Sequence, residues 1–336
     1  MKPRAEILPT HTAALFATAV SRAVELLRAG ELVALPTETV YGLAANALDA
    51  KAVARIFEVK GRPANNPLIV HVASVAMARR CVSEWPDLVE RLAKAFWPGP
   101  LTMVLPRSSE LPDIVTASGP TVGVRWSSHP FIQAVIRECG FPLAAPSANL
   151  SSQVSPTKAL HVQNSLGDKI GLIVDGGQSQ VGIESSVLDL TVAPPRLLRP
   201  GMIQSESLVA VTGDLMVGAD KSAASLRSPG LLRKHYSPNA KLVICSWQDE
   251  TDLRSQISNC GFAIADVHII AHKRIPISGA FGRVSVIPHD ADAFGRAIYA
   301  ELHSCDDTGA RLIVVEKLPD TPEWQAIADR LERASA

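Results

Sequence analysis

The sequence predicts a two-domain α/β protein, with a larger domain on a mixed sheet followed by a smaller, doubly wound domain. Three observations carry that reading. The 336 residues exceed one typical domain. Hydrophobic residues make up 47% of the chain and charged residues 20%, a globular composition with ample material for a core. Short apolar runs alternate with stretches of helical periodicity twice, over 1–212 and again over 241–336, with an irregular segment at 213–240 between them.

Taken in order, Leu15, Val20, Val24 and Leu27 recur at helical spacing before Gly30 and predict a helix over 12–29. Leu32 to Leu35 form a buried strand that Pro36 ends. Asp49 is placed as the N-cap of a helix that stops at Lys60-Gly61. The strand "PLIVHV" (67–72) follows, then a helix over 75–83 and another opened by Pro86 and stopped by "WPGP" (97–100). "LTMVLP", "TVGVR", "PLAAP", "GLIVD", "SSVLDL" and "RLLRP" read as strands, with helices at 130–139 and 157–166. Neighbouring strands without an intervening helix require a mixed sheet. Residues 213–240 are rich in Gly, Ser and Pro and read as a linker; connections this long are functional or disordered. From 241 the predicted order is strand "KLVICSW", helix 249–259, strands "GFAIADV" and "RVSVIP", helix 290–303, strand "RLIVVE" and a last helix over 322–333. This second domain contains no GxGxxG and no phosphate loop.

Composition removes several function classes. No apolar run approaches the ~18 residues a membrane helix needs, and "MKPRAEILPT" lacks a signal-peptide core, so a cytoplasmic protein is expected. Cys81, Cys139, Cys245, Cys260 and Cys305 are odd in number and form no CxxC, which argues against a disulfide framework or a zinc knuckle. Residues 1–210 carry 19 Lys and Arg against 17 Asp and Glu, 211–245 carry 5 against 2, and 246–336 carry 9 against 14. Only the short middle segment is densely basic, unlike a protein that grips nucleic acid through charge.

Four polar loops lie where first-domain strands end. One is Thr37-Glu38-Thr39, followed by Tyr41. The second is "KGRPANNP", with Lys60, Arg62, Asn65 and Asn66, running into His71. The third is "TVGVRW", with Thr121 and Arg125, and the fourth is "APSANLSSQVSPT", with Ser147, Asn149, Ser151 and Ser155. Ligands of open α/β sheets bind at strand carboxyl ends, and this donor set suits a polar, anionic small molecule. Singly, each residue also has a plain structural reading. Lys60 and Arg62 could be a solvated helix end, His71 a satisfied core histidine, Arg125 an ordinary ion pair, and Ser147 with Asn149 a turn.

Together the stretches say more. "PTETVYGLAANA", "KGRPANNPLIVH", "WPGPLT", "TVGVR", "APSANLS", "GIESSVLDL" and "LLRPG", in this order and spacing, resemble the YrdC-like family. The linker "SPGLLRKHYSP" (228–238) and the extra domain are similar to the long members of that family, the threonylcarbamoyl-AMP synthases. The resemblance spans essentially the whole chain; its first-domain motifs are highly specific and its second domain is weakly diagnostic. It implies a YrdC-like domain over 1–212 with a twisted mixed sheet and a ligand cleft. Arg233, Lys234, His235 and Tyr236, packed between two Ser-Pro steps, suit a nucleotide, so residues 213–240 are expected to be a linker and lid over the active site, followed by a Rossmann-like domain over 241–336.

The activity implied is L-threonylcarbamoyladenylate synthesis. L-threonine, bicarbonate or CO2, and ATP yield threonylcarbamoyl-AMP and pyrophosphate, for N6-threonylcarbamoyladenosine in tRNAs reading ANN codons. The resemblance assigns L-threonine contacts to Thr39, His71, Arg125, Ala145 (through its backbone) and Ser185. It assigns ATP contacts to Arg62, Asn66, Thr121, Ser147, Ser155, Arg199 and Tyr236. Lys60 and Arg62 are the expected catalytic phosphate contacts, both at a helix end outside the core. Mg²⁺ is expected to arrive with ATP and not in a protein-built site, since no carboxylate cluster is visible. A downstream tRNA threonylcarbamoyltransferase is the expected partner, with room for a weak tRNA contact and no membrane. "ESSV" stands where many relatives have "ESTV", and Ser185 keeps the hydroxyl. Two alternatives compete: a double-stranded RNA or tRNA-binding module without turnover, which the near-neutral first domain opposes, and a carbamoyltransferase of the hydrogenase-maturation type. The latter would add an acylphosphatase region and zinc-binding cysteines, neither visible here.

Overall fold

The computed structural model describes residues 4–218, 235–277 and 279–336. Contacts divide these residues into two units, 4–151 with 155–218 and 152–154 with 235–336.

The first unit contains strands β1 (Glu6–Pro9), β2 (Val33–Leu35), β3 (Gly42–Asn46), β4 (Ile69–His71), β5 (Leu101–Pro106), β6 (Thr121–Arg125), β7 (Leu143–Ala144), β8 (Leu172–Asp175), β9 (Ser186–Asp189), β10 (Arg196–Arg199) and β11 (Met216–Val217). Its helices are α1 (Ala13–Arg28), α2 (Ala50–Lys60), α3 (Val75–Cys81), α4 (Asp87–Phe96), α5 (Pro130–Cys139), α6 (Ala159–Leu166) and α7 (Ser205–Thr212). The strands form one mixed sheet in the order β1-β8-β2-β3-β7-β4-β6-β5-β9-β10-β11. Local chemistry sets several boundaries. Thr12 caps α1 by accepting the Leu15 N–H, Asp49 caps α2, and Gly61 ends α2 at φ 59°, a left-handed conformation that glycine adopts without strain.

The two faces of this sheet are covered unequally. On one, α2, α4, α6 and α7 pack Ile56, Leu92, Val162 and Leu208 into a core with Val70, Met103, Val122, Val124 and Leu188. On the other, α1 and α5 set Leu27, Phe131 and Ile132 against Val33, Leu35, Ala44, Leu143 and Leu172. Each fully buried Leu or Phe there contributes about 1.5–3 kcal/mol. Over β5, β9 and β10 the described apolar cluster is only Val104, Val187 and Leu198. Strand alternation sends Val122 and Val124 of β6 to the first core, so Thr121, Gly123 and Arg125 face the thinly covered side.

The second unit holds β12 (Lys241–Cys245), β13 (Val267–Ala271), β14 (Arg283–Val286) and β15 (Leu312–Glu316), with α8 (Glu250–Ser258), α9 (Ala291–Asp307) and α10 (Gln325–Ser335). Its sheet is fully parallel in the order β12-β15-β13-β14, as a doubly wound domain requires. At its carboxyl edge the buried Glu316 accepts backbone N–H groups from His272 (2.8 Å), Lys273 (2.8 Å) and Arg274 (3.1 Å). Successive amides of this kind form an anion nest, and here the chain's own carboxylate fills it. No helix among the described residues is long and apolar enough to cross a membrane.

Three expectations need correction. "GFAIADV" is not a strand: Gly261 turns at φ 76°, residues 264–266 make a 3₁₀ turn, and the strand begins at Val267, where β-branched residues enter the core. The linker begins later than 213, because β11 pairs with β10 through Arg196–Met216 and Leu197–Val217. "PLAAP" contributes only Leu143–Ala144 to the sheet, while β1 and β3 enter it without having been foreseen. Of the proposed lid at 228–238, residues 228–234, with Arg233 and Lys234, lie outside the described residues. Its described end packs into the second unit. Tyr236 is buried at φ 63°, stacks on Tyr299 with centroids 5.9 Å apart, and has the Arg330 guanidinium 5.5 Å from its ring.

Candidate active site

Sheet register brings the threonine-side residues into one row. His71 of β4 pairs with Arg125 of β6, and Arg125 pairs in turn with Thr102 of β5. β7 borders β4, and Ala145 directly follows it; its N–H donates to Ile69 O at 3.1 Å, so its carbonyl remains the group it can offer. β9 borders β5, and Ser185 directly precedes it. Ala145, His71, Arg125 and Ser185 therefore lie on or beside β7, β4, β6 and β9, four strands of the adjacent run β7-β4-β6-β5-β9, although they span much of the chain.

Arg125 is 4% exposed and lies 2.8 Å from Glu38 Oε1. Glu38 also accepts the Ser127 hydroxyl and the Ser128 N–H (3.2 Å). Burial pushes the Glu38 carboxyl up, but the Arg125 guanidinium and these donors outweigh it and hold the pKa at about 2. Arg125 Nε, facing no partner among the described residues, is a buried donor without an acceptor. His71 is also buried; burial and the neighbouring Arg125 lower its pKa to about 3, so the ring is neutral. Its Nδ1 has no hydrogen-bond partner among the described residues, and the Ala145 carbonyl lies near the ring. Thr39 is held by Thr37, whose Oγ1 lies 3.0 Å from Thr39 Oγ1 and donates to Val40 O at 2.6 Å. Ser185 Oγ lies 2.9 Å from Thr102 Oγ1 and accepts from Arg199 Nη2 at 3.1 Å. Tyr41, at the same loop, is structural: its hydroxyl donates to Gly177 O at 2.6 Å.

Of the residues expected to contact the nucleotide, Thr121 opens β6, and Ser147 and Ser155 lie in the 145–155 loop. Continuing the β4–β6 register places Thr121 beside Pro67, four residues and so about 13 Å from Arg125. Arg62 curls onto its own loop, donating to Asn66 O (2.9 Å), Asn66 Oδ1 (2.7 Å) and Pro67 O (2.7 Å). Asn66 is fully buried, and its Nδ2 has no partner among the described residues. Ser155 donates to Glu184 Oε1 at 2.6 Å, and Arg199 donates from Nε to Ser185 O at 3.1 Å. Tyr236 belongs to the second unit.

Lys60 corrects the expectation of an open helix end outside the core. It is 2% exposed, and its ammonium donates to Ser147 O at 2.6 Å and Asn149 O at 2.5 Å. Burial, with Arg62 nearby, pulls its pKa well below the usual lysine value. Lys60 thus clamps the loop that carries Ser147, and the Ser151 N–H donates back to the Lys60 carbonyl at 2.9 Å. Arg62 is buried too.

The sequence reading did not single out Glu38 as the partner of Arg125, nor Ser127, Glu184 or Thr102. The last was present in the quoted "WPGPLT" and Glu184 in "GIESSVLDL", but no role had been attached to either. Arg125 Nε, Asn66 Nδ2 and His71 Nδ1 are thus buried without a hydrogen-bond partner among the described residues. An unsatisfied buried polar group costs about 1–3 kcal/mol, so this arrangement suits a ligand with a carboxylate at the Arg125 end and acceptor oxygens at the Asn66 end.

Residues 25–201 match the family model described as "Telomere recombination", which groups Sua5, YciO and YrdC, and residues 203–336 match "Threonylcarbamoyl-AMP synthase, C-terminal domain". The threonylcarbamoyl-AMP synthase of Pyrococcus abyssi is 39% identical, covering 93% of each chain. That of Bacillus subtilis is 40% identical over 94% of this chain and 92% of the relative. The crystal structure of P. abyssi Sua5 complexed with L-threonine superposes with a TM-score of 0.90 at 37% identity, covering 98% of this chain and 97% of that one.

Proposed function

The chain belongs to the Sua5, YciO and YrdC family in its two-domain form, and from that premise we propose that it is an L-threonylcarbamoyladenylate synthase. Its substrates are L-threonine, bicarbonate or CO2, and ATP; its products are threonylcarbamoyl-AMP and pyrophosphate. The observation that carries the reading is a set of buried, unsatisfied groups: Arg125 Nε and His71 Nδ1, on residues paired across β6 and β4, and Asn66 Nδ2 in the loop before β4.

The threonine carboxylate takes the side of Arg125 that Glu38 leaves open. The amine, placed toward the neutral His71 and the Ala145 carbonyl, adds CO2: a C–N bond forms and a proton leaves. A carbamate oxygen then attacks the α-phosphorus in line, and the bond to pyrophosphate breaks. No covalent enzyme intermediate is needed, so positioning and charge neutralisation supply the catalysis. Arg62, Asn66, Thr121, Ser147, Ser155 and Arg199 hold the nucleotide. Lys60 sets the Ser147 loop and keeps one N–H for a phosphate, since an ammonium has three and two go to carbonyls. These cationic and neutral donors suit the oxygens of a triphosphate that brings Mg²⁺ with it. The ion would supply further neutralisation of phosphate charge.

The product is an activated mixed anhydride, to be consumed by a tRNA threonylcarbamoyltransferase in the cytoplasm, with at most a weak tRNA contact by this chain. The test is pyrophosphate release from ATP with threonine and bicarbonate each omitted in turn. Release should require both, and equal release without threonine would overturn the reading.

A further inference from the structure

The motif "WPGPLT" ends in a threonine to which neither the resemblance nor the reaction assigns a task. Thr102 is 0% exposed and directly opposite Arg125 in the β5–β6 register. Directly opposed residues share a sheet face, so Thr102 stands beside Arg125 on the ligand side while its neighbour Met103 enters the core. Gly123 makes room for it: a Cβ at 123 would lie 3.1 Å from the Thr102 methyl.

The protons around Ser185 can be counted. A hydroxyl has one proton and two lone pairs, and a guanidinium only donates. Arg199 Nη2 therefore fills one lone pair of Ser185 Oγ, at 3.1 Å. The contact to Thr102 Oγ1, at 2.9 Å, uses one of the two hydroxyl protons the pair owns. The other proton has no acceptor among the described residues, and Ser185, like Thr102, is 0% exposed, so water cannot readily supply one.

We propose that Thr102 is a positioning residue for amino-acid recognition. It donates to Ser185, and together with Arg199 it fills both Ser185 lone pairs, so the Ser185 hydroxyl can only donate to the substrate carboxylate beside Arg125. A donor-only serine rejects an ammonium at that point. It fixes the orientation of the amino acid, carboxylate toward Arg125 and amine toward His71. The inference rests on the synthase reading above.

Thr102→Val keeps the shape and the methyl against Gly123 but removes the donor. One hydrogen bond of this kind is worth about tenfold in binding. KM for L-threonine, and its Kd by calorimetry with a non-hydrolysable ATP analogue, should rise by about that factor, while KM for ATP stays within about twofold. Thr102→Ser should restore threonine affinity. In a Ser185→Ala background, Thr102→Val should add nothing further. Equal rises in both KM values, no rescue by serine, or the same added loss in the Ser185→Ala background would overturn the proposal and leave Thr102 as packing. Wild-type protein that binds no threonine in the calorimeter would instead remove the synthase reading itself, and this inference with it.

Discussion

Replacing Lys60 by methionine tests whether the amine at the end of α2 is a buried clamp. The substitution keeps the length of the side chain and removes its N–H groups. Ser147 O and Asn149 O then lose donors now at 2.6 and 2.5 Å. Each buried acceptor left without its partner costs about 1–3 kcal/mol, or about 2–6 kcal/mol for the two. Relief of the desolvated ammonium offsets part of this, leaving an expected loss of about 2–4 kcal/mol. Urea denaturation should show a lower midpoint at an unchanged slope, and turnover should fall because the Ser147 loop loosens. Arg79→Met is the control: its ion pair with Glu90 is about half exposed on both sides, and its removal should change stability by less than about 1 kcal/mol. A Lys60→Met variant with the wild-type midpoint would refute the clamp. If it had also lost turnover, Lys60 would be the solvated phosphate contact first expected from its helix-end position.

Arg125→Ala should weaken threonine binding by about 2–5 kcal/mol and also destabilise the fold, because Glu38 is left buried and unpaired; ATP affinity should hold. Adding Glu38→Gln should recover stability without recovering threonine binding, and calorimetry beside thermal melts separates the two effects. His71, with its pKa at about 3 in the fold against an ordinary 6.5, takes up protons in the unfolded chain before it does so in the native one. Stability should therefore fall as pH drops from 6.5 toward 3, with Glu38 adding to the loss from 4.5 toward 2, and His71→Asn should flatten the first part of that slope. Gly201→Ala should sharply reduce activity, since a Cβ there would lie 2.3 Å from Ser186 N and 2.7 Å from Ser185 C, and so displace the threonine-side serine; unchanged threonine KM would contradict this.

What the sequence made readable was what is local. "TVGVR" alternates Thr121, Gly123 and Arg125 against Val122 and Val124, and that pattern alone predicts a strand with one polar face. Asp49 and Gly61 bound α2 where capping chemistry puts them. What escaped was long-range. The acceptors of Lys60 lie 87 and 89 residues away, so its burial leaves no trace near position 60, where a lysine before a glycine reads as a solvated cap. The Glu38–Arg125 pair and the Thr102–Ser185 contact likewise arise only when the sheet order sets distant strands side by side. β13 was misplaced because "GFAIADV" and "VHIIA" are similarly apolar, and only the 3₁₀ turn at 264–266 marks where the strand begins.

The central claim is that one cleft joins three substrates into a single adenylate. The most direct measurement is mass spectrometry of the nucleotide product formed from ATP, L-threonine and isotopically labelled bicarbonate. The account predicts a mixed anhydride of AMP that carries both the threonine and the labelled carbon, made in step with pyrophosphate. AMP or ADP without the label, or a threonyl adenylate lacking the bicarbonate carbon, would contradict it.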